Sequence, residues 1–114
     1  MIAVNDWDED VLILELRDEP DFSEDTDGTL TRLRGNEVLA PDIIVDLQAV
    51  TRLNSSNLGA IIEIRKVLRE RDRRLLVCNL SDGLWSTMLA TGLDQVFEFT
   101  EDVTTALASL MVGE

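Results

Sequence analysis

The sequence predicts an α/β fold in a single domain, with a mixed four- to five-stranded sheet packed with about four helices. Three observations carry this. Short apolar runs of strand length occur at Val11–Arg17, at Asp42–Leu47 and at Leu75–Leu80. Between the second and third lies a longer segment whose apolar residues recur at helical spacing. The chain has 114 residues, enough for one core and too few for two.

The elements follow in order. Val11–Arg17, Val-Leu-Ile-Leu-Glu-Leu-Arg, reads as a strand with one mostly apolar face, and a shorter strand at Ile2–Val4 is expected to pair with it. Asp18–Asp21 contains Pro20 and reads as a turn. A first helix is expected from about Asp25 to Leu33, closed by Gly35. Asp42–Leu47 is a continuous apolar run that suits a central strand covered on both faces. The second helix is expected over about Ser56–Arg71, burying Leu58, Ile61, Ile62, Ile64, Val67 and Leu68. Leu75–Leu80 is a further buried strand, so the strand–helix–strand succession predicts a parallel crossover. A third helix over about Gly83–Ala90 stops at Gly92, a short strand covers Val96–Phe99, and a last helix covers Glu101–Met111 with Val103, Leu107 and Leu110 inward.

Composition narrows the function. Hydrophobic residues make up 45% of the chain, so a packed core is expected, built mainly from aliphatic side chains because aromatics are only 4%. The net charge is −13, and residues 1–27 carry eleven acidic groups against the single Arg17. Nucleic-acid phosphates and anionic lipid repel such a chain, and a partner with a basic docking surface suits it. The simpler reading of the acidic segment is a solubilising face. Six of the ten basic residues fall within Arg65–Arg74. These read as a solvated helix end whose cations suit the dipole, or as a counterpart to the acidic segment in the same chain or a neighbour. Cys78 sits in the run Leu75–Cys78 and reads as a small buried hydrophobe; as the one cysteine it has no internal disulfide partner. The sequence shows neither a signal peptide nor an apolar stretch of membrane-spanning length, so a cytoplasmic protein without membrane insertion is expected.

Catalysis finds little support. The chain has no histidine, the commonest general base. It has no Cys/His metal cluster, no phosphate-binding glycine loop and no Gly-x-Ser-x-Gly elbow, so neither a catalytic residue, a metal nor a cofactor is assigned. The paired carboxylates near the N-terminus sit in a polar turn, where nothing raises a pKa.

The most informative segment runs from Leu47 through Asn54-Ser55-Ser56-Asn57-Leu58-Gly59. A buried strand ends, a polar loop follows, and a helix opens at two adjacent hydroxyls. Ser55 or Ser56 can serve as an N-cap. That is the simpler reading of the spacing; the functional one is a phosphorylation site, because free N–H groups and the helix dipole favour a phosphoserine's charge.

This segment resembles the Asp-Ser-Ser/Thr-Gly-Leu-Gly signature of the STAS domain, the anti-sigma factor antagonist family. Leu89-Ala90-Thr91-Gly92-Leu93-Asp94-Gln95-Val96-Phe97 is similar to that family's Thr-Gly-Leu-Asp-x-Val/Ile-Phe stretch, and Glu19-Pro20-Asp21 resembles its Gly-Glu-Leu-Asp turn. The three matches lie in the family's order and span roughly Val11 to Leu110. The resemblance implies a regulatory module that binds an anti-sigma factor which is also a serine kinase, and so frees a sigma factor. It implies phosphorylation at Ser55, with Ser56 the second choice, and a partner-binding surface including Asp21, Asn54, Ser55, Ser56 and Asn57. Four positions depart from the pattern: Asn54 replaces Asp, Asn57 replaces Gly, and the Gly-Glu-Leu-Asp turn has become Asp18-Glu19-Pro20-Asp21, with Asp18 for Gly and Pro20 for Leu. Some members of the family are constitutive adaptors, including small subunits that clamp a transporter ATPase, and this is the alternative. The oligomeric state is left open.

Overall fold

In the computed structural model, which describes residues 10–35 and 40–112, four strands and four helices alternate. They are β1 (Val11–Arg17), α1 (Asp21–Gly35), β2 (Asp42–Ala49), α2 (Ser55–Arg69), β3 (Leu75–Cys78), α3 (Asp82–Thr91), β4 (Glu98–Thr100) and α4 (Val103–Met111). The strands form one sheet in the order β1-β2-β3-β4, and each neighbouring pair is parallel. The expected mixed character rested on the strand at Ile2–Val4, which lies outside the described residues; the described sheet is parallel throughout.

Side-chain alternation sorts the strands onto two faces. Leu12, Leu14 and Leu16 of β1, Ile43, Val45 and Leu47 of β2, and Leu75 and Val77 of β3 point to one side. There they meet Phe22, Leu30 and Leu33 of α1, Leu58, Ile61, Ile64 and Leu68 of α2, and Leu84 and Met88 of α3. The register keeps these rows level, with Leu12 opposite Ile43 and Ile43 opposite Leu75. The other face presents Ile44, Leu76 and Cys78 to α4. Three successive crossovers of one hand place their helices on one side of a parallel sheet, which leaves the opposite side to α4. β2 is therefore covered twice, as its unbroken apolar run requires. Each fully buried aliphatic side chain contributes about 1.5–3 kcal/mol.

Three sequence expectations need correction and one, the inner side of α4, gains a residue. α1 starts at Asp21, four residues earlier than expected, because Glu19 caps it: its carboxylate accepts from the Ser23 N–H at 3.0 Å and the Ser23 hydroxyl at 2.7 Å. Ile62 is not part of the α2 stripe and is 39% exposed. On α4, Ala106 is the fully buried residue, with Val103, Leu107 and Leu110 half-buried around it; its small side chain lets the helix approach the sheet. The basic stretch is only partly a solvated helix end. Arg71 donates to the Leu33 carbonyl at 2.8 Å and so satisfies the end of α1. Arg73 donates to the Asp10 carbonyl at 2.8 Å, and Arg74 grips Glu98 at 2.7 and 3.2 Å.

α3 ends at Gly92, whose φ of 77° is left-handed, and the Gly92 N–H returns to the Leu89 carbonyl at 3.3 Å. A Cβ there would meet no neighbouring atom within 4 Å, so the glycine is needed for its backbone alone. Gly92→Ala is expected to lower unfolding stability by about 1 kcal/mol through φ strain. Urea denaturation with an unchanged m-value checks this.

Candidate functional site

Because the strands are parallel, the loops after β1, β2, β3 and β4 share one rim of the sheet, the place where open α/β sheets commonly bind their ligands. β1 and β2 are neighbours, so the loops that follow them are neighbours too. A register irregularity between Glu15 and Arg17 sets Arg17 opposite Ala49 just before the first of these loops. Asp18 then reaches across, and its carboxylate accepts from the Thr51 N–H at 2.9 Å and the Thr51 hydroxyl at 2.7 Å. The bond from the Thr51 hydroxyl, then that from its N–H, holds the Asp18 carboxyl below the ordinary carboxylate value, with the Arg52 backbone and charge adding to it.

α2 opens on a capping box made of two asparagines. The Asn54 side chain accepts from the Asn57 N–H at 2.7 Å, and the Asn57 side chain accepts from the Asn54 N–H at 3.0 Å. Asn57 Nδ2 donates to Glu19 at 2.8 Å, which joins the box to the loop after β1. Glu19 is lowered in pKa by its bonds from the Ser23 hydroxyl and N–H, and further by Asn57. Asp18, Glu19, Arg52, Asn54 and Asn57 together line a shallow pocket of about 380 Å³.

The serines therefore do not cap, contrary to one of the two sequence readings. Asn54 has the extended backbone of an N-cap, φ −94° and ψ 176°, and Ser55 is the first helical residue. Ser55 and Ser56 are exposed, and neither hydroxyl has a hydrogen-bond partner among the described residues. Asn57 lies in the helix with no unusual backbone angle, and it is only 3% exposed, so its side chain is turned inward rather than toward an approaching partner. Asp21 opens α1, half-buried, and its carboxylate lies 3.5 Å from Arg17. The structure thus joins Asn54, Ser55, Ser56 and Asn57 in one helix start. From the loop after β1 it is Glu19, rather than Asp21, that bonds to this helix start, through Asn57.

Sequence reasoning missed Asp18, Glu19, Thr51 and Arg52 as members of the site. For the caps a signal existed: asparagine ranks with serine as an N-cap, and Asn54 and Asn57 have the three-residue spacing of a capping box. Further along the rim, Asp46 accepts from the Gln48 N–H and from Asn79 Nδ2, both at 3.0 Å. Burial pushes the neighbouring Cys78 thiol up to about 12, helped by the charges of Asp46 and Asp102, so it stays protonated and is no nucleophile. Among the described residues no three His, Cys, Asp or Glu side chains converge as a metal site, and no helix is long and apolar enough to cross a membrane.

The sequence profile of the STAS domain matches residues 4–106. The chain belongs to the STAS domain family. No curated protein matches it by sequence. Among solved structures, it resembles an anti-sigma-factor antagonist (STAS) domain protein from Planctomyces limnophilus at 19% identity, covering 96% of this chain and 97% of that one, with a TM-score of 0.78. The Bacillus cell fate determinant SpoIIAA in its phosphorylated form is similar at 12% identity over 96% of this chain and 99% of that one, with a TM-score of 0.71. A sulfate transporter family protein from Wolinella succinogenes is similar at 21% identity over 91% and 88%, with a TM-score of 0.73. At these identities the likeness establishes the fold, a STAS domain of four helices on a four-stranded parallel sheet.

Two expectations follow from the geometry. Asn54→Ala should cost about 1 kcal/mol, while Ser55→Ala should change stability by less than about 0.5 kcal/mol; urea midpoints of the two variants separate the cap from the hydroxyl beside it. Asp18 binds protons less readily when folded. Its contribution to stability is therefore complete above its unfolded pKa of about 4 and is lost as pH falls through the lower folded value. Asp18→Asn should flatten the rise of stability with pH across that acid window, measured as thermal midpoint against pH.

Proposed function

We propose that this STAS domain is a non-catalytic regulatory module that sequesters an anti-sigma factor with serine kinase activity, and that phosphorylation of Ser55 releases it. The observation that carries the reading is the position of Ser55. It is exposed on the rim, in the first turn of α2, and its hydroxyl is spared from capping by Asn54. A kinase can take that hydroxyl without unmaking the helix start. The phosphate adds about −1.5 to −2 charges, which the N-terminal dipole of α2 tolerates. The same charge arrives close to a loop that already carries Asp18 and Glu19, both ionised at neutral pH. The fold is preserved while the field met by a docking partner changes sharply. A partner with a basic surface fits the acidic rim, and Asp21, Asn54 and Ser56 extend the same surface. The similarity to SpoIIAA in a phosphorylated form supports this reading, and a bacterial cytoplasm is the setting it implies.

A second reading, a constitutive adaptor that is never phosphorylated, is favoured by the asparagines. Asn54 and Asn57 replace the charged and the flexible residue of the family signature and lock the loop into a neutral box. The similarity to a sulfate transporter family protein suits an adaptor of that kind.

Intact-mass analysis of the protein from its native host separates the two, since a singly phosphorylated fraction lost in Ser55→Ala supports the switch. With the partner in hand, Ser55→Ala should bind as the unmodified protein does and Ser55→Asp about tenfold more weakly or worse. Equal affinity of all three leaves the adaptor.

A further inference from the structure

The other end of α2 carries a feature that the rim does not use. Arg65 and Arg69 lie four residues apart on one side of the helix, a spacing at which like charges destabilise it. The chain has 23 acidic residues against ten basic ones, yet among the described residues neither arginine has an ion-pair partner. Arg73 and Arg74 face them from the loop between α2 and β3. That loop is turned by Asp72, whose φ of 60° lets the Arg73 N–H return to the Leu68 carbonyl at 2.9 Å. Arg73 is held by Asp42 at 3.4 Å and Arg74 by Glu98 at 2.7 Å, so two guanidinium groups are fixed in place and two stand ready. Together they line a cleft of about 350 Å³ with Leu75 and Val96, a volume within the roughly 300–1,000 Å³ of small-ligand sites.

We propose that this cleft binds a compact phosphate-bearing anion of at least two negative charges. Guanidinium groups match phosphate oxygens in charge and in planar, two-pronged geometry. Four of them stand against three carboxylates, Asp72 and Glu98 in the cleft and Asp42 beside Arg73, so the local balance is still positive on a chain that is otherwise strongly acidic. The C-terminal dipole of α2 opposes an anion, but it is a partial charge against an excess of a whole one. Leu75 and Val96 give the cleft an apolar wall, on which an organic group attached to the phosphates can rest. Ser55 and Arg69 are opposite ends of a 15-residue helix, about 20 Å apart, so a ligand here leaves the rim open.

Isothermal titration calorimetry with inorganic pyrophosphate and with ADP, in phosphate-free buffer of low ionic strength, tests the site. Saturable binding of pyrophosphate is expected. Arg65→Gln and Arg69→Gln should each weaken it about fivefold or more without lowering the thermal midpoint, because neither residue has an ion-pair partner among the described residues and each substitution relieves the like-charge pair. Lys66→Gln removes the same charge one residue away, on the side of α2 that carries Glu63 and faces Arg34 of α1, and should change affinity by less than about twofold. ADP binding more tightly than pyrophosphate identifies a nucleotide as the ligand class; equal binding shows that the phosphates suffice, and both outcomes support the site. Absence of saturable binding to the unaltered protein, or a loss in Lys66→Gln as large as in the arginine variants, overturns it.

Discussion

The rim is held together at Asn57. Its backbone N–H donates to the Asn54 side chain, its side-chain Oδ1 accepts from the Asn54 N–H, and its side-chain Nδ2 donates to Glu19. At 3% exposure this side chain accepts through one atom and donates through another, which an amide does and a carboxylate cannot. An aspartate here could accept from Asn54 but could not donate to Glu19, and it would put a third carboxylate beside Glu19 and Asp18. A glycine would break both side-chain bonds and leave the two loops joined through Asp18 with Thr51 and Arg52. The departure from the family signature at this position therefore builds a contact rather than merely losing flexibility. It makes the loop after β1 and the start of α2 one rigid unit.

That unit sits at one pole of an uneven charge distribution. Parallel strands put the ends of β1 and β2 side by side, and with them Asp18, Glu19 and Asp46, each tied down by hydrogen bonds. At the opposite pole, where α2 ends and β3 begins, the arginines gather. α2 runs from one pole to the other, with its positive dipole end at the acidic rim and its negative end among the cations. The arrangement is electrostatically favourable within the helix, and it presents two surfaces of opposite sign to the surroundings. The arginines are also structural: Arg71 closes α1 and Arg74 ties β4 to the loop before β3. The bonds made by Arg71, Arg73 and Arg74 distinguish them from Arg65 and Arg69, which the core does not need.

The fold was legible where burial leaves a simple pattern. Asp42–Leu47 has few readings other than a strand covered twice, and Gly92 could be recognised as a helix end because glycine alone takes a left-handed angle freely. Boundaries failed where side chains acted on backbone at a distance in sequence. Pro20 suggested that the turn continues, yet Glu19 bends back to Ser23 and starts α1 early. Ile62 fits the helical period and is exposed all the same, because α2 buries a narrower stripe than the period allows. The serines of the site were visible as a loop–helix junction, and the spacing of Asn54 and Asn57 allowed a cap there without deciding between asparagine and serine. Asparagine and serine have nearly equal cap propensity, and the choice was settled by Glu19, a residue 38 positions from Asn57. Contacts of that separation leave no periodic trace in a single sequence.

The division of labour between Asn54 and Ser55 bears on how the module can work. A serine that both caps a helix and accepts a phosphate ties stability to signalling, since its hydroxyl is already engaged in the bond that holds the first turn, worth about 1 kcal/mol. Here the cap belongs to Asn54, one residue earlier, and the loop is braced independently by Asp18 and Thr51. Chemistry at Ser55 can then change the charge of the surface while the surface keeps its shape. A partner that reads shape alone would not notice the modification; one that reads charge, with cations placed against Asp18 and Glu19, would gain or lose contacts according to how far the new phosphate draws those cations away. The rigidity that the asparagines confer is therefore compatible with a switch, provided the switch is electrostatic and the partner carries the moving parts.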